Sequence, residues 1–375
     1  MKKRLFKLFI TIVVFSSAFS ASAYDFKVDN IYYNIQSEED STVLVTDNGT
    51  NSYSGNVTIP QTVSYSNETY TVTSINSSAF RLSTNLTNVT IPNTVTFLGS
   101  YVFSGCSNLN DITLPENIAL LGYGSFLGTG WYNSQPNGVL YLNNYCIGYK
   151  KTIKDPDYIL RIKEGTRLIA SFAFSNYTQT TIYKAIIPNS VLYINMGAFE
   201  NCSNIYEFTL GDNIIEIGDD AFKNCTGIEE IIIPDKTTTL GFEAFYGCSE
   251  LKSVVIGSSV SYIDSYCFSN CRNLTSVISK NPTPPVCEDY GAFGRATTTN
   301  GVLYVPKGSK QLYQEANYWG AFATIEEYDS SAIEEIKENR NTTTEYYNLQ
   351  GIKVENPENG IFIKKQGSHT SKVLL

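Results

Sequence analysis

Residues 221–248 read AFKNCTGIEEIIIPDKTTTLGFEAFYGC. The stretch opens on Ala-Phe with a cysteine three residues after the phenylalanine, and it closes the same way. Phe222 and Phe245 lie 23 residues apart, and so do Cys225 and Cys248. Followed outward, the phenylalanine column runs Phe80, Phe103, Phe126, Phe174, Phe199, Phe222, Phe245, Phe268 and Phe293, in steps of 23, 23, 48, 25, 23, 23, 23 and 25. Cysteine follows at Cys106, Cys202, Cys225, Cys248 and Cys271. Other columns keep phase. Six residues after the phenylalanine stand Leu86, Leu109, Ile205, Ile228, Leu251 and Leu274, and nine after stand Val89, Ile112, Phe208, Ile231, Val254 and Val277. A proline often comes next (Pro92, Pro115, Pro188, Pro234), then a glycine (Gly99, Gly122, Gly218, Gly241).

A fixed period of this kind is the signature of a repeat architecture, and 23 falls within the leucine-rich-repeat range. Within a unit, IEEIIIP alternates as a short strand does. Ile228, Ile231 and Ile233 are expected to point inward, Glu230 and Ile232 outward. The proline, with no N–H for a ladder, ends the strand. The glycine column reads as a turn, and AFxxC as a short helical or 3-10 turn that docks the ring. One coil cannot bury its own apolar edge, so the coils must stack. The expected fold is therefore a β-dominated repeat solenoid of 23-residue coils with short parallel strands. Phe103, Phe199, Phe222, Phe245 and Phe268, with Cys106, Cys202, Cys225, Cys248 and Cys271, are its structural ladder. Stacked coils hold such cysteines parallel, unlike the geometry a disulfide needs, so they are expected as buried thiols. Of the eight cysteines, Cys267 takes the small-residue place of Ala198 and Ala221, and Cys146 and Cys287 fall outside the columns.

The units FSGCSNLNDITLPENIALLGYGSF and FKNCTGIEEIIIPDKTTTLGFEAF resemble the BspA-like leucine-rich repeats of bacterial surface proteins over about residues 56–293. The resemblance implies a solenoid at the cell surface or secreted, used for adhesion or protein binding, and it supplies no catalytic residues.

The ends read differently. Residues 1–23 combine the basic MKKRLFK, the apolar LFITIVVFSSAF and a final ASA, the pattern of a removable secretory signal peptide. Residues 24–73 are expected as an N-terminal β cap, 74–293 as the solenoid, and 294–328 as a C-terminal cap in which Leu312, Tyr313, Ala316 and Trp319 cover the last coil and Ser309 caps a helix. Near 128–159 the phase breaks at VLYLNNYCIGY, read as an inserted hairpin turning at Asn143-Asn144. Residues 329–345 read as a polar linker. Residues 346–375 read as a short β tail, which resembles the C-terminal sorting domains of the type IX secretion system but is shorter than a full one.

The first 23 residues hold four of the 27 basic residues and no acidic one, so the remainder stands at −13. That balance excludes a nucleic-acid partner, whose phosphates need a basic surface. The single histidine, His369, lies in the tail, so a Ser-His-Asp or Cys-His mechanism in the repeats lacks its base. No cofactor and no metal is expected. Asp219-Asp220 is the most suggestive carboxylate pair for sugar chemistry, but other coils place unrelated residues there. Three function classes stand: a surface adhesion or binding module for an extracellular protein or glycan, a carbohydrate-active enzyme, and a purely structural envelope protein. The first is preferred. Its binding face is expected on the outward strand positions: Asp111, Thr113, Glu116; Lys184, Ile186, Asn189; Glu207, Thr209, Asp212; and Glu230, Ile232, Asp235. Six acids against one lysine would form an acidic stripe suited to a basic partner.

Overall fold

The computed structural model describes residues 24–47, 49, 53–151, 159–177, 182–288 and 291–329, with the four strands Glu345–Tyr347, Lys353–Val354, Ile361–Gln366 and His369–Leu374. The signal-peptide reading of residues 1–23 and the linker reading of 330–344 lie outside the described residues. The chain divides into two compact units: Met1–Ile153 with Thr166–Ala173, and Lys154–Gly165 with Phe174–Leu375.

Both units are stacks of coils, and the register states the period directly. In the second unit Ile231 pairs with Val254 and Val254 with Val277 in parallel ladders, so each step from strand to strand is one coil. Each coil carries two strands. The longer one lies where the alternation placed it: Glu230–Ile232 shows Ile231 at 2% exposure between exposed Glu230 and Ile232. The second has only two residues, as in Glu216–Ile217, Thr239–Leu240 and Tyr262–Ile263, which pair in parallel in that order. A two-residue strand has no alternation to read, and the sequence does not announce this second sheet.

Between the two sheets the expected helical turn at AFxxC is built as consecutive hydrogen-bonded turns. Around Phe222, the amide of Lys223 donates to Asp220 O and that of Cys225 to Phe222 O. Left-handed residues flank the ring, Asp220 at φ 54° and Asn224 at φ 56°. Asparagine adopts this conformation readily, and here the side chains form a ladder. Asn201 Nδ2 donates to Asn176 Oδ1 at 3.1 Å, and Asn224 Nδ2 to Asn201 Oδ1 at 2.9 Å.

The rings of Phe174, Phe199, Phe222, Phe245, Phe268 and Phe293 stack with centroids 5.0–5.4 Å apart and planes within 11°. In the first unit Phe80, Phe103 and Phe126 stack at 5.2 and 5.9 Å. The cysteine column has a reason beyond small size. Each Sγ donates to the carbonyl of the preceding coil's phenylalanine: Cys106 to Phe80 O, Cys202 to Phe174 O, Cys225 to Phe199 O, Cys248 to Phe222 O and Cys271 to Phe245 O, at 2.9–3.3 Å. Each carbonyl already accepts an amide three residues on in its own coil, and the thiol, a group of apolar size, adds a second donor from the next coil. All eight cysteines are free thiols. Burial pushes the Cys106 thiol up to about 11 and those of Cys225, Cys248 and Cys267 well above their ordinary value, so they resist reaction in the folded state. Mass spectrometry of denatured, unreduced, alkylated protein should find Cys202, Cys225, Cys248 and Cys271 all modified. Finding them linked to one another would contradict the ladder.

The glycine column proves to serve close approach rather than a turn conformation. A Cβ on Gly99, Gly122 or Gly241 would lie within 2.4–2.5 Å of backbone in the preceding coil. Gly218 is a looser case, at 3.0 Å from Met196 N.

The caps close the columns. In the first unit the ring of Tyr53 meets Phe80 at 4.3 Å, and its hydroxyl donates to Thr46 O at 2.7 Å. In the second, Trp319 and Phe322 meet Phe293 edge-on, each at 5.3 Å, and Trp319 Nε1 donates to Pro285 O. Tyr313 is buried as expected, but Leu312 is 51% exposed; on Lys310–Glu315 it sits one residue away from the buried stripe. Ser309 makes no capping bond. Glu327 does that work from the neighbouring strand, accepting from the amides of Gly308 and Lys310 at 3.0 Å each. The insertion holds a short helix, Gly130–Ser134, and the expected hairpin, Gly138–Leu142 with Tyr145–Lys150, turning at Asn143 with φ 54°. Among the described residues no helix is long and apolar enough to cross a membrane.

Candidate functional site

The outward strand positions sit where alternation puts them. Asp111, Thr113, Glu116, Glu207, Thr209, Asp212, Glu230, Ile232 and Asp235 are exposed, as is Asn189, and Lys184 and Ile186 are half-buried. Within the second unit the strand ladder that would carry the expected acidic stripe is interrupted. Asp111, Thr113 and Glu116 belong to the first unit, where Asp111 accepts from Asn88 Nδ2 at 3.1 Å. In the second unit Glu207–Thr209 ends one ladder and Glu230–Ile232 begins another. Charge is also neutralised locally. Lys184 pairs with Glu207, its register partner in the next coil. Lys280 reaches back past a whole coil to both oxygens of Asp235, at 2.9 and 2.8 Å. Burial opposes ionisation of Asp235, but Lys280 and the Ser258 amide outweigh it and hold the carboxyl below its ordinary range. Lys252 pairs with Glu229 at 2.9 Å. Surface pairs of this kind add little stability, but they leave the face less acidic than a count of residues suggests.

The face has an apolar character that charge counting hides. Along the central outward column, Ile186, Thr209 and Ile232 are followed by Val255 and Ile278. Val255 is 7% and Ile278 2% exposed, packed with Tyr304 and Tyr328 from the C-terminal cap. The Tyr328 hydroxyl locks that cover by donating to Ser279 O at 3.0 Å. The cover stops short of Ile232, which stays 48% exposed. Tyr206 at 46% and Tyr183 at 37% are exposed at the entry of the two preceding outer strands. These two tyrosines were missed in the sequence. Their signal was an aromatic residue immediately before the first outward strand position, where later coils have Glu229, Lys252 and Thr275.

The carboxylate pair has structural duties. Asp219 Oδ1 accepts from the Phe242 amide of the next coil at 2.8 Å. Burial, with smaller contributions from Asp264 and Asp220, raises its carboxyl to about 6. Asp220, left-handed, pairs with Lys223 at 2.9 Å, and Lys223 also pairs with Glu243 in the next coil. The Asp219 carboxylate thus bonds coil to coil, and that of Asp220 serves its own turn.

Six copies of the BspA type leucine rich repeat region match the chain, over residues 51–164 and 167–284. A search of curated proteins finds no match. Among solved structures the chain is similar to a leucine rich cell surface protein of Faecalibacterium prausnitzii, at 21% identity over 68% of this chain and 94% of that one, TM-score 0.36. It is similar to the pneumococcal vaccine antigen PcpA, at 16% identity over 81% and 98%, TM-score 0.44. A leucine-rich repeat protein of Bacteroides ovatus matches at 22% identity over 82% and 89%, TM-score 0.32. With the repeat matched across more than half of its length and its columns stacked coil on coil, the chain belongs to the BspA-type leucine-rich repeat family.

Proposed function

We propose that this is an exported surface protein that binds an extracellular macromolecule through the outer sheet face of its second unit. One observation carries the reading. Ile232 remains 48% exposed in the column that the next two coils bury beneath Tyr304 and Tyr328, and Tyr183 and Tyr206 are exposed at the entry of the two preceding outer strands. Large apolar groups left uncovered along one stretch of surface mark an interaction site, and aromatic residues set among charged ones suit an interface hot spot. Glu207, Asp212, Glu230 and Asp235 supply that rim and favour a partner with basic groups at its own edge. Export is supported by the basic, apolar and small-residue order of residues 1–23, and the short β tail is a candidate sorting signal. The carbohydrate-active reading draws no support from Asp219, whose oxygen accepts from the next coil, or from Asp220, which pairs with Lys223 of its own turn.

The test is surface binding of the full chain to a panel of purified extracellular-matrix proteins. Two variants are compared with wild type: Tyr206→Ser with Ile232→Ser, and reversal of Glu207, Asp212, Glu230 and Asp235 to lysine. The apolar variant is expected to lose at least about tenfold in affinity, as hot-spot truncations do. The reversed variant should lose mainly association rate, with an inverted salt dependence. Unchanged binding by both, with the fold intact, would move the site away from this face, to the hairpin of Gly138–Leu142 and Tyr145–Lys150.

A further inference from the structure

A second surface, on the turn edge of the first unit, has different chemistry. Its segments read SSAFRLST at 77–84, SYVFSGCS at 100–107, GYGSFLG at 122–128 and SFA at 171–173. They contain no acidic residue in a chain that carries 36. The corresponding turns of the second unit carry Glu200, Asp219, Asp220, Glu243 and Asp264. On this edge aromatic side chains follow one another coil by coil. Tyr101 is 38% and Tyr123 40% exposed, with centroids 5.4 Å apart and rings nearly perpendicular. Phe172 continues the row at 5.6 Å from Tyr123. The Tyr101 and Tyr123 hydroxyls meet no partner among the described residues.

The backbone of this edge is the one every coil uses. Tyr101 and Phe172 sit in the left-handed region, each at φ 57°. The equivalent place in the intervening coil is Gly124, at φ 66°. The same left-handed place recurs two residues before the phenylalanine at Ser78, Gly197, Asp220, Glu243 and Tyr266, so it belongs to the repeat turn itself. Arg81 lies over the Tyr101 ring, its Cζ 5.9 Å from the centroid, and makes no ion pair among the described residues. The guanidinium stays near the ring with its N–H donors still available. An unpaired, pre-positioned fork beside exposed rings, on an edge cleared of competing carboxylates, is complementary to a carboxylate attached to a ring-sized apolar body.

We propose that this edge binds a carboxylated glycan, with Arg81 pairing bidentately with the carboxylate and Tyr101 and Tyr123 meeting the C–H faces of pyranose rings. The negative faces of aromatic rings attract C–H groups that carry partial positive charge. The fork geometry of arginine selects a carboxylate over a single hydroxyl. Spacing agrees, because one aromatic ring per coil repeats at close to the length of one sugar unit in an extended chain. The free phenol hydroxyls and the serines of the same turns then face ring hydroxyls. This site is independent of the sheet face of the second unit.

The experiment is calorimetric titration of the full chain at low salt with polygalacturonate, hyaluronan and sialyllactose, with carboxyl-reduced polygalacturonate and polyglutamate as controls. The expected result is binding of at least one carboxylated glycan, with neither control bound comparably. Arg81→Gln should weaken that binding on the order of tenfold, the weight of a lost charge-assisted bond. Arg81→Lys should fall between, and Tyr123→Ala should weaken it too, all with the wild-type thermal midpoint. No binding of any of the three glycans would overturn the proposal. So would equal binding of the reduced polymer, or of polyglutamate, which would assign the edge to acidic polypeptide instead. Unchanged affinity in Arg81→Gln would remove the arginine and the proposal with it.

Discussion

Replacing Phe222 by alanine is expected to destabilise the second unit by about 3–5 kcal/mol, the cost of a buried ring lost with a cavity left behind. The ring is fully buried and sits between Phe199 at 5.4 Å and Phe245 at 5.0 Å, with Phe208 edge-on at 4.9 Å. Collapse cannot fill the gap cheaply. The Phe222 carbonyl accepts both the Cys225 amide and the Cys248 thiol, which fixes its backbone between two coils. In a unit of this size the loss corresponds to a fall in thermal midpoint of roughly 10 °C. The check is thermal unfolding followed by far-UV circular dichroism. A midpoint equal to that of wild type would mean that the phenylalanine column does not hold the stack.

Gly241→Ala should be comparably severe for a smaller chemical change. Its added Cβ would stand 2.5 Å from Asp219 N, 2.5 Å from Asp219 Oδ1 and 2.6 Å from Gly218 C. Two of these are backbone atoms of the coil beneath, and they cannot swing aside. The coils must separate locally, which strains the bond from the Leu240–Thr239 strand to Glu216–Ile217 and the bond from the Gly241 amide to Ile217 O. The expected cost is about 3 kcal/mol, the upper part of the range for overpacking, read as a lower urea midpoint at unchanged slope. An unaltered midpoint would show that the coils are further apart than the ladder register implies.

What the sequence revealed follows from what repeats. Phe222, Cys225, Ile228 and Ile231 each recur with like residues at the same phase, so the column, and from it the stacking, could be read without any contact being known. The two-residue strands could not, since Glu216–Ile217 and Thr239–Leu240 present one apolar residue each and no alternation. The thiol's role was hidden because its acceptor, the preceding coil's phenylalanine carbonyl, is a backbone group of no particular residue type. The state of the outer sheet face was hidden for a different reason. Val255 and Ile232 occupy equivalent outward positions, and one is buried while the other is exposed. The difference is made by Tyr328, 73 residues beyond Val255 in the sequence. Likewise the pairing of Asp235 with Lys280 skips a coil, so no count of charges along one face could have found it.

The central claim, that each 23-residue period is one interchangeable coil, is tested most directly by cutting one out. Deleting residues 222–244 removes one period and rejoins Ala221 to Phe245, so that the turn of one coil feeds the ring of the next with every column still in phase. Deleting only residues 222–233 throws every later column out of phase. Repeat proteins tolerate loss of an internal unit because their stability is a sum of units and nearest-neighbour interfaces. The full-period deletion is therefore expected to give a cooperatively unfolding protein with wild-type circular dichroism per residue, and the partial deletion to give none. Equal failure of both deletions, or equal success, would contradict the account.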